Sequence, residues 1–223
     1  IRTPLSAAIL YSANLSNKKL SDNARGAFQD KLSSRLHDLE QQINDMLLFS
    51  KSGKEQVVSS LSVNELISDA IQAMDALIVK ANTKVNLHLA TVDHHILGNQ
   101  NALTGAIQNL VHNALQAVSM NSTKQPIINI QVYHNKSAVY ISVKDNGPGI
   151  KNNDIDKIFE PFFTSSSKGT GLGLAVVKSV VEAHQGEVSY LSKAGEGAHF
   201  SMKFPLHGEV ETSSINNSSI EEK

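Results

Sequence analysis

Asp145-Asn146-Gly147-Pro148-Gly149-Ile150, followed further along by Gly169-Thr170-Gly171-Leu172-Gly173-Leu174, decides how this chain is read. The first stretch closes an apolar run, Ala138 to Val143, with a carboxylate and two glycines. The second sets alternate glycines before an apolar stretch, Leu172 to His184, whose spacing predicts a helix. A carboxylate can accept from an exocyclic amine, glycines admit a ligand close to the backbone, and amides at a helix start face phosphate. Together the two stretches read as a nucleotide pocket, although Gly-Pro-Gly alone is usually only a turn.

Two commoner nucleotide motifs are excluded. A dinucleotide fingerprint G-x-G-x-x-G fails because Leu174 takes the last glycine slot. A Walker A loop fails because Lys168 precedes its glycine and no Ser or Thr follows in the required order. Upstream, Leu103, Ala106, Ile107, Leu110, Ala114, Ala117 and Val118 recur at helical spacing within Ala102 to Met120. Asn109 and Asn113 stand at i and i+4, so both amides leave one face of that helix. An isolated pair would read as the solvent face. Beside the other two motifs it reads as a Mg²⁺ site, because an amide oxygen is a hard, neutral ligand and Mg²⁺ keeps waters and phosphates as well.

Asn109-Leu110-Val111-His112-Asn113-Ala114, Asp145 to Gly149, Phe159-Glu160-Pro161-Phe162-Phe163 and Gly169 to Gly173, in that order, resemble the N, G1, F and G2 boxes of sensor histidine kinases. Ile1-Arg2-Thr3-Pro4-Leu5 resembles the end of their H box. The resemblance covers residues 1 to 205. The Pro161-Phe162-Phe163-Thr164 stretch and the short lid resemble the nitrogen-regulator-like branch, and the Ile1 to Leu15 segment resembles its flagellar regulatory sensor kinases.

The resemblance implies an α+β chain: an antiparallel helical hairpin, paired into a four-helix bundle in a homodimer, then a Bergerat-type α/β sandwich that binds ATP with Mg²⁺. It places adenine on Asp145, supported by Gly147 and Gly149, and Mg²⁺ on Asn113 with Asn109 beside it. It places the phosphates along Lys168, Gly169, Thr170, Gly171, Leu172 and Gly173. Related ATPases that hydrolyse their nucleotide carry a water-activating Glu four residues before the metal Asn. Here that residue is Asn109, whose amide takes no proton at neutral pH, as suits a kinase whose acceptor is a neutral imidazole.

Lys168 either neutralises the γ-phosphate during transfer or is a solvated lid lysine. The acceptor His is expected two residues before Ile1. Thr3, four residues after it, either orients water for dephosphorylating the partner or simply precedes Pro4. The phenylalanines of the F box are expected to pack the lid and couple the two domains. In Gly195-Glu196-Gly197-Ala198-His199-Phe200, Ala198 stands where the family usually has Thr, so a hydroxyl near adenine is lost.

Composition narrows the partners. A net charge of −1 and the absence of Trp argue against nucleic acid. The absence of cysteine excludes thiolate catalysis and Cys-zinc sites and suits a cytoplasmic setting. No apolar run approaches the ~20 residues of a membrane helix, so this stretch is expected to make no membrane contact. The absence of an initiator Met, with Ile1 inside a motif, suggests a fragment of a longer chain.

The expected domains are a hairpin over 1–52, a linker over 53–56, a nucleotide domain over 57–207 and a disordered tail over 208–223. Ile1, Leu5, Ala8, Ser12 and Leu15 on one helix form a bundle seam, and Phe28, Leu32, Leu36, Leu39, Ile43 and Met46 form one stripe on the other. Two such helices close a core only by pairing with a second hairpin, so a homodimer through 1–52 is expected. The other partner is a response-regulator receiver domain, by resemblance. Two rival readings are a serine kinase of the anti-sigma type and a nucleotide-gated adaptor without phosphotransfer. The H-box resemblance argues against the first, and reading the residues upstream of Ile1 would decide the second.

Overall fold

The computed structural model describes residues 2–17, 19–51, 58–120, 125–165 and 169–206; the side chains of 2–4, 37, 38, 41, 42, 44, 45 and 47–51 lie outside that description. Lys168 and the expected tail therefore fall outside the described residues, as does the side chain of Thr3.

Helix α1 (Arg2–Leu15) and helix α2 (Asp22–Lys51) form the hairpin. Ser21 caps α2: its hydroxyl accepts from Ala24 N–H at 3.3 Å. Tyr11 meets Phe28 with ring centroids 6.1 Å apart, and Arg25 Nη1 donates to the Leu15 carbonyl at 3.4 Å. Ala8 and Leu39 are buried, but Leu5, Leu36, Ile43 and Met46 stay exposed, so much of the apolar stripe is uncovered within one chain.

The second unit begins with strand β1 (Ser59–Ser62) and helix α3 (Val63–Lys80), then strands β2 (Lys84–His88) and β3 (His95–Gly98) and helix α4 (Gln100–Ser119). Strands β4 (Ile127–His134) and β5 (Ala138–Asp145), helix α5 (Gly173–Ala183), and strands β6 (Glu187–Ser192) and β7 (Ala198–Pro205) complete it. The main sheet runs β2-β4-β5-β7-β6, with β2 parallel to β4 and the other neighbours antiparallel. Beside this mixed sheet, β1 and β3 form a separate antiparallel ribbon, with Leu61 opposite Ile96.

Helix α3 buries Val63, Leu66, Ile67, Ala70, Met74 and Ile78, a stripe at helical spacing, and Ser62 caps it by accepting from Glu65 N–H at 3.0 Å. Helix α4 buries Leu103, Ala106, Ile107, Leu110, Ala114 and Val118 against strands whose inward residues include Ile128, Ile130, Ile141 and Phe204. His184 ties α5 to α4. Asn99 N–H can only donate, so His184 Nε2 accepts it at 3.0 Å, and Nδ1–H then donates to the Val180 carbonyl at 2.7 Å.

Gly186 reads from sequence as the left-handed residue that ends α5. That residue is Gln185, with φ 58°, and Gly186 N–H follows by donating to the Val181 carbonyl at 2.8 Å. No described helix is long and apolar enough to cross a membrane.

Candidate functional site

Asp145 ends β5 and is only 5% exposed. Its Oδ1 accepts from Gly147 N–H at 2.8 Å and from Ala198 N–H at 3.3 Å. Burial pushes its carboxyl above the ordinary value, and the Gly147 and Ala198 amides pull it partly back. Ala198 therefore supports the carboxylate through its backbone, whatever the loss of the family's hydroxyl does to its side-chain contact.

The loop after Asp145 packs against two neighbours. A Cβ on Gly147 would meet that of Ala117 on α4 at 2.9 Å, which puts the loop one helical turn beyond Asn113. Ala117 thus faces this loop rather than the core. Gly149 has φ 72° and lies against the Lys193 carbonyl; Gly197 has φ 87° and lies against the Asp145 carbonyl. No side chain fits at either contact, so the backbones of the loop and the β6–β7 turn approach this closely only at glycines.

The other end of the site is the start of α5. A Cβ placed on Gly173 would lie 3.7 Å from both Asn109 Oδ1 and Asn113 Nδ2. Asn109 is buried and Asn113 half-buried, so α4 presents both amides to the first turn of α5. Leu172, the residue before that turn, is buried and makes no side-chain cap. The first-turn amides of α5 thus face outward without a capping side chain, the arrangement that suits a bound anion. Thr170 Oγ1 accepts from Leu172 N–H at 3.2 Å, and the Gly171 carbonyl accepts from Phe162 N–H at 2.9 Å. Gly169 is half-buried beside them. Asn109 turns its amide oxygen to the helix start and Asn113 its amide nitrogen, so a flip of the Asn113 amide would give two oxygens that fit Mg²⁺ shared with phosphates; the described residues hold no carboxylate-histidine cluster suited to a protein-only metal cage.

The family described as Histidine kinase-, DNA gyrase B-, and HSP90-like ATPase matches residues 98–208, the stretch that builds this site. Sensor protein kinase FleS of Pseudomonas aeruginosa is 35% identical over 206 residues, which are 92% of this chain and 50% of FleS. The chain belongs to the sensor histidine kinase family. The catalytic domain of histidine kinase ThkA, at 27% identity and TM-score 0.60, covers 68% of this chain and 99% of that one. Full-length ShkA in complex with AMPPNP, at 26% identity and TM-score 0.67, covers 92% of this chain and 43% of its own. This sensor histidine kinase chain thus spans half the length of FleS.

The F box divides. Phe159 packs inward, 5.8 Å from the Tyr190 ring and 6.4 Å from the Phe200 ring, with Lys178 Nζ 5.9 Å from its centroid. Phe163 packs against the core margin. Phe162 points away, 72% exposed, with φ 69°. Ser192 was not singled out from sequence, yet its hydroxyl joins the loop after Asp145 to the β6–β7 turn. The available signal was a polar residue closing a strand three residues before a Gly-x-Gly turn.

Proposed function

We propose that this chain is the catalytic portion of a sensor histidine kinase that uses Mg-ATP to phosphorylate a histidine just upstream of Ile1 and then passes the group to a receiver-domain aspartate. The observation that carries the proposal is the shared wall made by α4. Ala117 touches the loop that follows Asp145, while Asn109 and Asn113 flank Gly173 at the start of α5.

Asp145 accepts from the exocyclic amine of adenine. Asn113 holds Mg²⁺ with Asn109 alongside, and the metal, when bound, offsets charge on the phosphate oxygens. The amides of Gly171 and Gly173, and that of Leu172 on leaving Thr170 Oγ1, meet the phosphates, with Gly169 and Thr170 shaping the approach. Lys168 adds a cation at the γ-phosphate. The imidazole nitrogen attacks the γ-phosphorus, the bond to the β–γ bridging oxygen breaks, and ADP leaves with that electron pair. The proton on the other ring nitrogen is then released. Asn109, an amide, leaves water without a base, so the nucleotide is kept for the histidine.

The exposed Leu5, Leu36, Ile43 and Met46 support a homodimer through 1–52, with the nucleotide domain as a separate core. The same hairpin offers the receiver domain its docking face, where Thr3 orients water for dephosphorylation. This portion acts on the cytoplasmic side. The narrower placement among flagellar regulatory kinases rests on residues 1–15.

The test uses the chain with His-Glu placed before Ile1. Labelled ATP is expected to label that histidine, and a non-hydrolysable ATP analogue to bind more tightly with Mg²⁺. Asn113→Ala should reduce the Mg²⁺-dependent affinity about tenfold and leave metal-free affinity unchanged. Equal binding of both proteins with Mg²⁺ would remove Asn113 from the site. Binding without any labelling would favour the nucleotide-gated adaptor.

A further inference from the structure

Ser192 is the last residue of β6 and is half-buried. Its hydroxyl accepts from Ile150 N–H at 2.9 Å and donates to the Gly197 carbonyl at 2.9 Å. Ile150 is where the chain leaves the loop begun by Asp145. Gly197 is the residue packed on the Asp145 carbonyl, and its neighbour Ala198 supplies one of the two amides on Asp145 Oδ1. Nearby, Gly195 N–H donates to the Pro148 carbonyl at 2.7 Å.

One oxygen therefore both receives and gives a proton across the same junction, which among neutral aliphatic side chains only Ser and Thr do. The Lys193–Glu196 ion pair on the same turn is exposed and adds little. Ala198 N–H sits 3.3 Å from Oδ1, a long bond that any slip of the turn would break.

We propose that Ser192 is a positioning residue for base recognition: it locks the β6–β7 turn to the loop after Asp145 and so fixes the carboxylate that reads the base. Ser192 acts through Asp145 and the two backbone contacts. The inference rests on reading the Asp145 end as the adenine subsite, and it predicts an effect confined to that end.

The experiment measures ADP, GDP and Mg²⁺-tripolyphosphate affinities by calorimetry, with melting followed in parallel, on the whole chain and its Ser192→Ala and Ser192→Thr variants. Ser192→Ala should lose about tenfold in ADP affinity. Its preference for ADP over GDP should shrink, while tripolyphosphate affinity stays within about twofold. Ser192→Thr keeps the hydroxyl on a residue at home in a strand and should recover ADP affinity to within about threefold.

Wild-type ADP affinity in Ser192→Ala overturns the proposal. So does an equal loss for ADP and tripolyphosphate, which would make Ser192 a residue of the fold alone. If the unmodified chain binds GDP as well as ADP, the adenine reading of Asp145 has failed, and that result is visible before any variant is compared.

Discussion

The two ends of the proposed nucleotide site are built differently. At the base end, Asp145 is 5% exposed, takes two backbone amides, and sits in a loop stitched to the next turn through Ser192, Gly195 and paired glycines. At the phosphate end, the described residues between Lys151 and Gly171 are largely exposed, and the one element of regular structure among them is a short 3-10 turn, Ile155–Lys157. A single backbone bond, Phe162 N–H to the Gly171 carbonyl, closes its described portion beside α5. The contrast separates two tasks. Recognising a base needs donors and acceptors fixed beforehand, so it is placed where β5 is already buried. Enclosing a phosphate that must leave needs a segment the ligand can shape, so it is placed where little apolar area is at stake.

The largest expected effect strikes the base end. Asp145→Asn keeps Oδ1 as an acceptor for the two amides but turns the other oxygen into an NH₂ donor that meets the adenine amine, itself a donor. ADP affinity should fall by about 1.5–3 kcal/mol, roughly ten- to a hundredfold. Stability should move the other way. The carboxyl of Asp145 is raised above 3.8 in the fold, so the folded chain holds its proton more tightly than the unfolded chain does. As pH rises from 3.8 through the folded value, the wild type loses stability that the Asn variant keeps. At neutral pH the variant should melt no lower than the wild type. A clear drop in melting would show that the base end is held by the charge itself, and the comparison would break.

Next in size is the inner part of the F box. Phe159→Ala removes a half-buried ring from the Tyr190–Phe200 cluster and its contact with Lys178. A loss of about 2 kcal/mol in denaturant stability is expected, below the 3–5 kcal/mol typical of a fully buried Phe. If the variant unfolds no more easily, the lid is not anchored at Phe159.

Most of this architecture could be read from the chain. Helix α4, strand β5 and helix α5, with Asn109, Asn113, Asp145 and Gly173 on them, follow from apolar spacing and motif order. What stayed hidden depends on distant contacts. Nothing in Ser59–Ser62 says that it pairs with His95–Gly98 rather than joining the main sheet. Gly186 offers the obvious left-handed residue after α5, but Gln185 takes it, so the conformational preference of glycine was overridden by where the chain must turn. Ser192 acts through Ile150, 42 residues away, a partner that no local pattern names.

The smallest expected effect concerns Phe162 and bears most on what the lid is for. Its φ of 69° places an aromatic residue in the left-handed region, at a cost of about 1–2 kcal/mol. Its ring is 72% exposed, so it recovers little of that within the chain. Phe162→Gly would relieve the strain and add unfolded-state entropy of nearly the same size, so stability should stay within about 0.5 kcal/mol. ATP-analogue affinity should hardly change, because the ring is 72% exposed and Phe162 meets Gly171 through its backbone, which the variant keeps. Strain held at an exposed residue calls for a use outside the resting fold, and contact with the hairpin during transfer supplies one. In the chain extended by His-Glu, the rate of histidine labelling should therefore fall while melting and nucleotide binding hold. Unchanged labelling would make Phe162 a passive turn residue. A loss of stability above 1 kcal/mol would instead make the phosphate end as firmly built as the base end, and the distinction drawn between them would fail.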